Sequence, residues 1–157
     1  MTRRIPISNT NMFAIVDDDD YVGLNQHTWY ARGKYGVSDY TSYAYCTING
    51  VPTPMHFLVL GQNIDHKNRI RLDNRRDNLR PASKSQNAAN SSKMNAKSTS
   101  TYKGVCWKSR EQKWSAQIIK DGRYYYIGVF NSEINAARAY DKKALELFGE
   151  FAYKNFP

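Results

Sequence analysis

Residues 64–90 read IDHKNRIRLDNRRDNLRPASKSQNAAN, and the order of elements in this stretch decides how the rest of the chain is read. Residues 64–66 and 79–82 each carry enough apolar character for a short strand, and the Asn-, Asp- and Arg-rich residues between them make a long polar loop. Ser83 is placed to cap a helix running to about Asn90. No simple hydrophobic period accounts for the loop's composition. The predicted order is strand, loop, strand, helix.

Working outward toward the N-terminus, residues 54–60 (PMHFLVL) suit a short helix with Pro54 at its first position and Gly61 closing it. Before it, apolar stretches at 5–7, 13–16, 29–31 and 43–48 alternate with turn residues, and Asn49-Gly50 follows the last, which is a strand-rich reading with hairpin punctuation. The acidic run Asp17 to Asp20 is taken as a turn or helix start on a solvated face. Toward the C-terminus, residues 91–101 (SSKMNAKSTST) are small, polar and basic, the composition of a linker. Residues 105–108, 114–120 and 124–130 then read as three strands, the last two joined at Asp121-Gly122. Ser132 caps a helix to Phe148 that ends at Gly149 and carries Ile134, Ala137, Tyr140, Ala144 and Leu147 on one apolar face.

The 157 residues, 41% of them hydrophobic and 13% aromatic, suffice for one ordinary domain or two small ones, and not for a largely disordered chain. No run approaches the length of a membrane span, and no secretory signal is visible, so the expected location is intracellular, in the cytoplasm. Cys46 and Cys106 have no CxxC partner and suggest neither a zinc ribbon nor a disulfide framework. The net charge of +9 is unevenly distributed: residues 1–64 carry net −1, residues 65–100 net +6 and residues 101–157 net +4. A polyanion is the natural partner of such a field.

Asp65-His66 is the first pair with chemical content, because a carboxylate can hold a hard cation while a neighbouring neutral imidazole takes a proton from water. Asn78 and Asn87 follow, and amide oxygens can complete an oxygen-rich metal shell or fix a loop without ionising. Adjacent strand residues point to opposite faces, so serving one site requires a strand end or a bulge at Asp65-His66.

The succession DH, LDNRRDNLR and SQNAAN resembles the HNH nucleases, in particular homing endonucleases of phage and group I introns, whose site is two strands and a helix around one divalent ion. The resemblance implies that His66 is the general base, Asp65 and Asn87 the metal ligands, and Asn78 a side chain that bonds loop backbone and orients the His66 ring. The last motif position is Asn87 rather than His, which favours Mg2+, with Mn2+ the alternative, because an all-oxygen shell suits hard cations. Activity is expected to fall as pH drops below the imidazole pKa of about 6.5. Arg69 stands where relatives often place Gly. Arg69, Arg71, Arg75, Arg76 and Arg80 are the expected phosphate clamps, some of them paired with Asp73 or Asp77. His56 resembles the family's His before the apolar helix and is expected to pack.

Residues 101–157, with YKGV, KWSAQI, YIGVF, AARAYD and the terminal NFP, are similar to the AP2 domain, a three-strand-plus-helix DNA-binding module. The resemblance implies a sheet in the major groove, with Lys103, Lys108, Gln117, Tyr124 and Tyr126 facing the groove and Trp107 and Arg123 beside them. Alternation places Trp114, Ala116 and Ile118 against the helix and Lys113, Ser115 and Gln117 on the other face. Cys106, Ile119 and Tyr124 stand where plant members often use Arg.

The reading is an α+β chain: a strand-rich HNH unit of the ββα-metal type over residues 1–95, with its motif core at 55–90, a linker over 96–101, and an AP2 unit over 102–157. The expected function is metal-dependent, site-selective hydrolysis of double-stranded DNA, with no small-molecule substrate and no membrane partner. The alternatives are a non-enzymatic DNA-binding regulator with a decayed nuclease unit, and an RNA-binding protein that stacks bases on its aromatics.

Overall fold

The computed structural model describes residues 1–33, 41–93 and 98–157. Their packing divides into two units, Met1–Ser83 and Lys84–Pro157. The division falls ahead of the 96–101 linker read from composition, of which residues 96 and 97 lie outside the described residues.

The described residues of the first unit form three small antiparallel sheets. Strands β1 (Thr2–Pro6) and β2 (Phe13–Asp17) pair, and helix α1 (Asp18–Leu24) begins within the acidic run. Strands β3 (Tyr30–Gly33), β4 (Ser42–Ile48) and β5 (Val51–Pro54) form the second sheet in the order β3-β4-β5. The β4–β5 hairpin turns at Asn49 (φ 50°) and Gly50 (φ 79°), both in the left-handed region that a two-residue hairpin with native twist needs. In β4 the two-residue period sends Ser42, Ala44 and Cys46 inward and leaves Tyr43 and Tyr45 half-buried. Helix α2 (Met55–Leu60) follows directly, and then β6 (Ile64–His66) pairs with β7 (Leu79–Pro81). Ile5, Ile7, Val16, Trp29, Cys46, Met55, Leu72 and Leu79 meet in one core. The indole of Trp29 donates to the Leu24 carbonyl at 2.8 Å, which lets so large a ring be buried without an unpaired N–H.

The second unit opens with helix α3 (Lys84–Asn90) and continues as the sheet β8 (Val105–Lys108), β9 (Lys113–Lys120), β10 (Arg123–Phe130), with β9 central. Helix α4 (Glu133–Phe148) and a short 3-10 helix (Gly149–Phe151) follow. The Asp121-Gly122 turn has φ 50° and 75°, again the hairpin geometry that the dipeptide predicts. The buried face of α4 is Ala136, Ala137, Tyr140, Asp141, Ala144 and Phe148. Ile134, assigned to that face from periodicity, is 47% exposed. Ile134 lies in the first turn of α4, at the edge of that buried face. Buried Asp141 accepts the backbone N–H groups of Asn155 and Phe156, tying down the C-terminal residues. No helix among the described residues is long and apolar enough to cross a membrane.

Candidate nuclease site

Asp65 and His66 are the last two residues of β6, and both are buried. The strand ends at His66, whose carbonyl accepts the Arg69 N–H at 2.9 Å in the turn that follows. The strand end required by two neighbours serving one site is therefore present. Arg69 has φ 66°, a conformation costly for a residue with a Cβ and one that glycine adopts readily.

The polar loop between β6 and β7 is held by its own side chains, and that accounts for a composition with no periodicity. The Asn78 amide accepts the Asn68 backbone N–H at 3.0 Å and donates to the Asp73 carbonyl at 2.7 Å, bridging both sides of the loop. Asn68 Nδ2 donates to Asp73 Oδ2, and Arg75 grips both Asp73 oxygens at 2.7 and 2.6 Å. Burial raises the Asp73 pKa, but the Arg75 and Asn68 hydrogen bonds and the Arg75 charge outweigh it and hold this carboxyl below its usual range. Ile15 and Asp73 form a parallel bridge, with Ile15 N–H donating to Leu72 O and Asn74 N–H to Ile15 O. Asp17 accepts the Arg76 backbone N–H, and Asp20 takes the Arg76 guanidinium at 2.9 and 2.6 Å. The acidic run is thus a brace for the loop.

Around His66 the structure adds residues that the sequence did not single out. Asn74, 1% exposed, places Oδ1 3.4 Å from His66 Nε2, and its own Nδ2 has no hydrogen-bond partner. Which of the two groups donates in this contact depends on the tautomer of the His66 ring. Asp73-Asn74 and Asp77-Asn78 are tandem copies of one dipeptide, and that repeat was the only available signal for Asn74. Tyr43 and His56 pack on His66 with ring centroids at 5.8 and 5.2 Å. The Arg71 guanidinium lies 4.7 Å from the Tyr43 centroid and donates to Thr41 O. Burial lowers the His66 pKa, partly offset by the Asn74 contact and by Asp65 and Asp73, so the ring is neutral at neutral pH.

Asp65 faces Arg80 across the β6–β7 ladder, and Arg80 Nε and Nη2 donate to Asp65 Oδ2 at 3.0 and 2.9 Å. Arg80, expected as a phosphate clamp, is 8% exposed and bound to this carboxylate. Arg75 and Arg76 keep 40% and 52% of their side chains exposed while paired with Asp73 and Asp20. Lys67, Asn68, Arg75, Asp77 and Asn78 line a surface depression on the loop. Asn87 lies on α3 in the second unit, half-buried, its carbonyl accepting Ser91 Oγ. Among the described residues no three His, Cys, Asp or Glu side chains group as a metal site. A hard divalent ion that keeps its waters needs only one or two protein oxygens, and the buried Asp65 carboxylate already holds a cationic partner in Arg80. The oxygen donors Asp65 and Asn87 fit such an ion in kind.

In the second unit, antiparallel register assigns the sheet faces. Lys120 donates to Leu147 O in α4, and Arg123 pairs with Lys120, so Arg123 belongs to the α4 side. Trp107 pairs with Trp114, their rings 5.0 Å apart, on that same side. Lys108, Gln117, Tyr124 and Tyr126 share the opposite face. Ser115, on that face too, is fully buried between its strand neighbours Cys106 and Val129. The Lys103 ammonium is turned inward, donating to the carbonyls of Ala88, Ala89 and Ser91 at the end of α3.

The strand end thus carries a buried acid–imidazole pair beside an Asn-rich loop, and the comparisons with known proteins give the class of protein. The HNH endonuclease family pattern matches residues 61–89. The chain is 31% identical over 152 residues to an uncharacterized HNH endonuclease of Acanthamoeba polyphaga mimivirus, covering 91% of this chain and 74% of the relative. The chain belongs to the HNH endonuclease family. It also carries an AP2-like stretch: an AP2-like ethylene-responsive transcription factor of Arabidopsis thaliana is 34% identical over 100 residues, 52% of this chain and 33% of the relative. An AP2/ERF and B3 domain-containing protein of Oryza sativa subsp. japonica is 42% identical over 62 residues, 40% of this chain and 17% of the relative. The chain thus spans no more than a third of these two plant relatives.

Proposed function

We propose that the chain is a metal-dependent, site-selective endonuclease of double-stranded DNA, with a catalytic unit over residues 1–95, a linker over 96–101 and an AP2 recognition unit over 102–157. The observation that carries this reading is the buried Asp65-His66 pair at the end of β6, beside a loop that Asn78 clamps from both sides. His66 accepts a proton from the attacking water, while Asn74 lies beside its Nε2 and the Tyr43 and His56 rings pack on the imidazole. Asn78 acts through the loop backbone and is a positioning residue.

Asp65 and Asn87 would hold one divalent ion, Mg2+ before Mn2+ because both donors are hard oxygens. Bound there, the ion supplies Lewis-acid stabilisation of the charge gathering on the phosphate and on the leaving O3′. Arg69, Arg71, Arg75 and Arg76 position the phosphate backbone, and Arg80 braces Asp65. Because phosphate contacts carry no sequence information, selectivity falls to the second unit's free sheet face.

The Asp65–Arg80 pair favours one other reading, a DNA-binding regulator in which this carboxylate is permanently occupied. The variant His66→Ala separates them. In the endonuclease reading it abolishes cleavage and leaves duplex affinity nearly unchanged; loss of both together, or cleavage by the variant, refutes the assigned role.

A further inference from the structure

Resting on the duplex-recognition reading above, we propose that the free face of the β8–β9–β10 sheet selects A·T base pairs. Gln117 reads adenine, Ile119 contacts the thymine methyl, and Tyr124 is the positioning residue that fixes the Gln117 amide. Register sets the group: Tyr124 stands opposite Ile119 and Tyr126 opposite Gln117, so all four side chains leave the same face. Ile119 is 60% exposed, Tyr124 56% and Tyr126 60%, a cluster on the sheet that no described residue of its own unit covers.

The Tyr124 hydroxyl donates to Gln117 Oε1. In this contact Oε1 accepts, and an amide oxygen retains a second lone pair beside two N–H donors. An amide so fixed matches adenine in the major groove, where N7 accepts and N6–H donates, whereas guanine presents two acceptors and is read by Arg or Lys. Ile119 can answer the thymine C5 methyl and nothing polar. Residues two apart on a strand lie about 6.8 Å apart, close to two base-pair rises, so Gln117 and Ile119 address base pairs two steps apart.

Charge on this face fits the same occupant. Lys108 and Lys113 are direct cross-strand partners, both exposed, at the end of β9 away from Ile119. Like charges placed opposite each other destabilise a sheet, and phosphate relieves that cost. The one arginine of the sheet strands, Arg123, is on the α4 side, and the lysines of this face, Lys108 and Lys113, are assigned to phosphate, at the end of β9 away from Ile119.

The test uses the full chain in EDTA, so that binding is read without cleavage, at one fixed salt concentration. Fluorescence anisotropy compares duplexes of alternating A·T, the same duplex with deoxyuridine for thymidine, the same with 7-deazaadenine for adenine, and alternating G·C. The A·T duplex should bind about tenfold tighter than G·C, and removing the methyls should weaken it about fourfold per contact. Ile119→Ala should abolish the deoxyuridine effect, Gln117→Ala the 7-deazaadenine effect, and Tyr124→Phe should weaken A·T binding while sparing G·C. Ile119 and Tyr124 are exposed and Gln117 is half-buried, and an unchanged thermal melting curve shows that each variant folds. Equal affinity for all four duplexes, tighter G·C binding, or a deoxyuridine effect that survives Ile119→Ala overturns the proposal and leaves duplex recognition standing. Binding to none of the duplexes would instead remove the duplex-recognition reading, and this proposal with it.

Discussion

Replacing His56 with Phe tests how the rings behind the proposed base are held. His56 is 7% exposed, and its centroid lies 5.2 Å from those of both Tyr43 and His66. Burial, with a smaller contribution from His66, lowers its pKa to about 3. In the unfolded chain the same group titrates near its ordinary value of about 6.5. Above that pH both states are neutral and the residue contributes nothing to the pH dependence. Below it the unfolded chain binds a proton that the folded ring refuses, so stability falls as pH drops from about 6.5 toward about 3. Each unit in that window corresponds to about 1.36 kcal/mol, so about 2 kcal/mol is lost through His56 between about pH 6.5 and about pH 5. Phe binds no proton and fills a similar aromatic space. The assay is urea unfolding followed by Trp29 fluorescence in a Trp107→Phe/Trp114→Phe background, because Trp29 is the sole tryptophan of Met1–Ser83. The stability difference between the His56→Phe protein and its parent should be flat above about pH 7 and move by about 2 kcal/mol toward the variant by about pH 5. Parallel curves over the whole range would refute the claim that burial keeps His56 neutral.

Three further outcomes follow from the geometry. Asn78→Ala leaves the Asn68 N–H and the Asp73 carbonyl without their partner, and should cost about 1–3 kcal/mol in the same unfolding assay together with most of the cleavage rate. Arg80→Met removes the guanidinium from a buried carboxylate and should destabilise the first unit by about 3–5 kcal/mol; an effect within error would mean that the Asp65–Arg80 pair is not formed in solution. Gly104→Ala puts a Cβ into the Tyr140 ring and 2.7 Å from the Gln117 carbonyl at φ 74°, and should cost more than about 3 kcal/mol by thermal melting read on the second unit's tryptophans.

The elements with a local signature were legible in the sequence. Asn49-Gly50 and Asp121-Gly122 are two-residue hairpin turns because each dipeptide tolerates the left-handed region, and β6, β7 and α3 form where the apolar anchors and Ser83 suggest. What local pattern cannot carry is which charged side chain meets which. Arg76 with Asp20, fifty-six positions away, and Arg80 with Asp65 depend on the folded path, so counting arginines near the motif could not separate the surface cations from the buried brace. Asn74 escaped notice because its partner is set by how the loop crosses Ile15. Trp107 and Arg123 were assigned by resemblance, whereas strand pairing sets their face. Ile134 was misassigned because a 3.6-residue period marks a stripe without marking its edge.

The most direct test of the central claim is incubation of supercoiled plasmid with the purified protein in Mg2+ and in EDTA. The account predicts relaxed or linear product with Mg2+ and none with EDTA, nor with the His66→Ala protein. Plasmid that is bound yet stays supercoiled in Mg2+, across several DNAs, would contradict it.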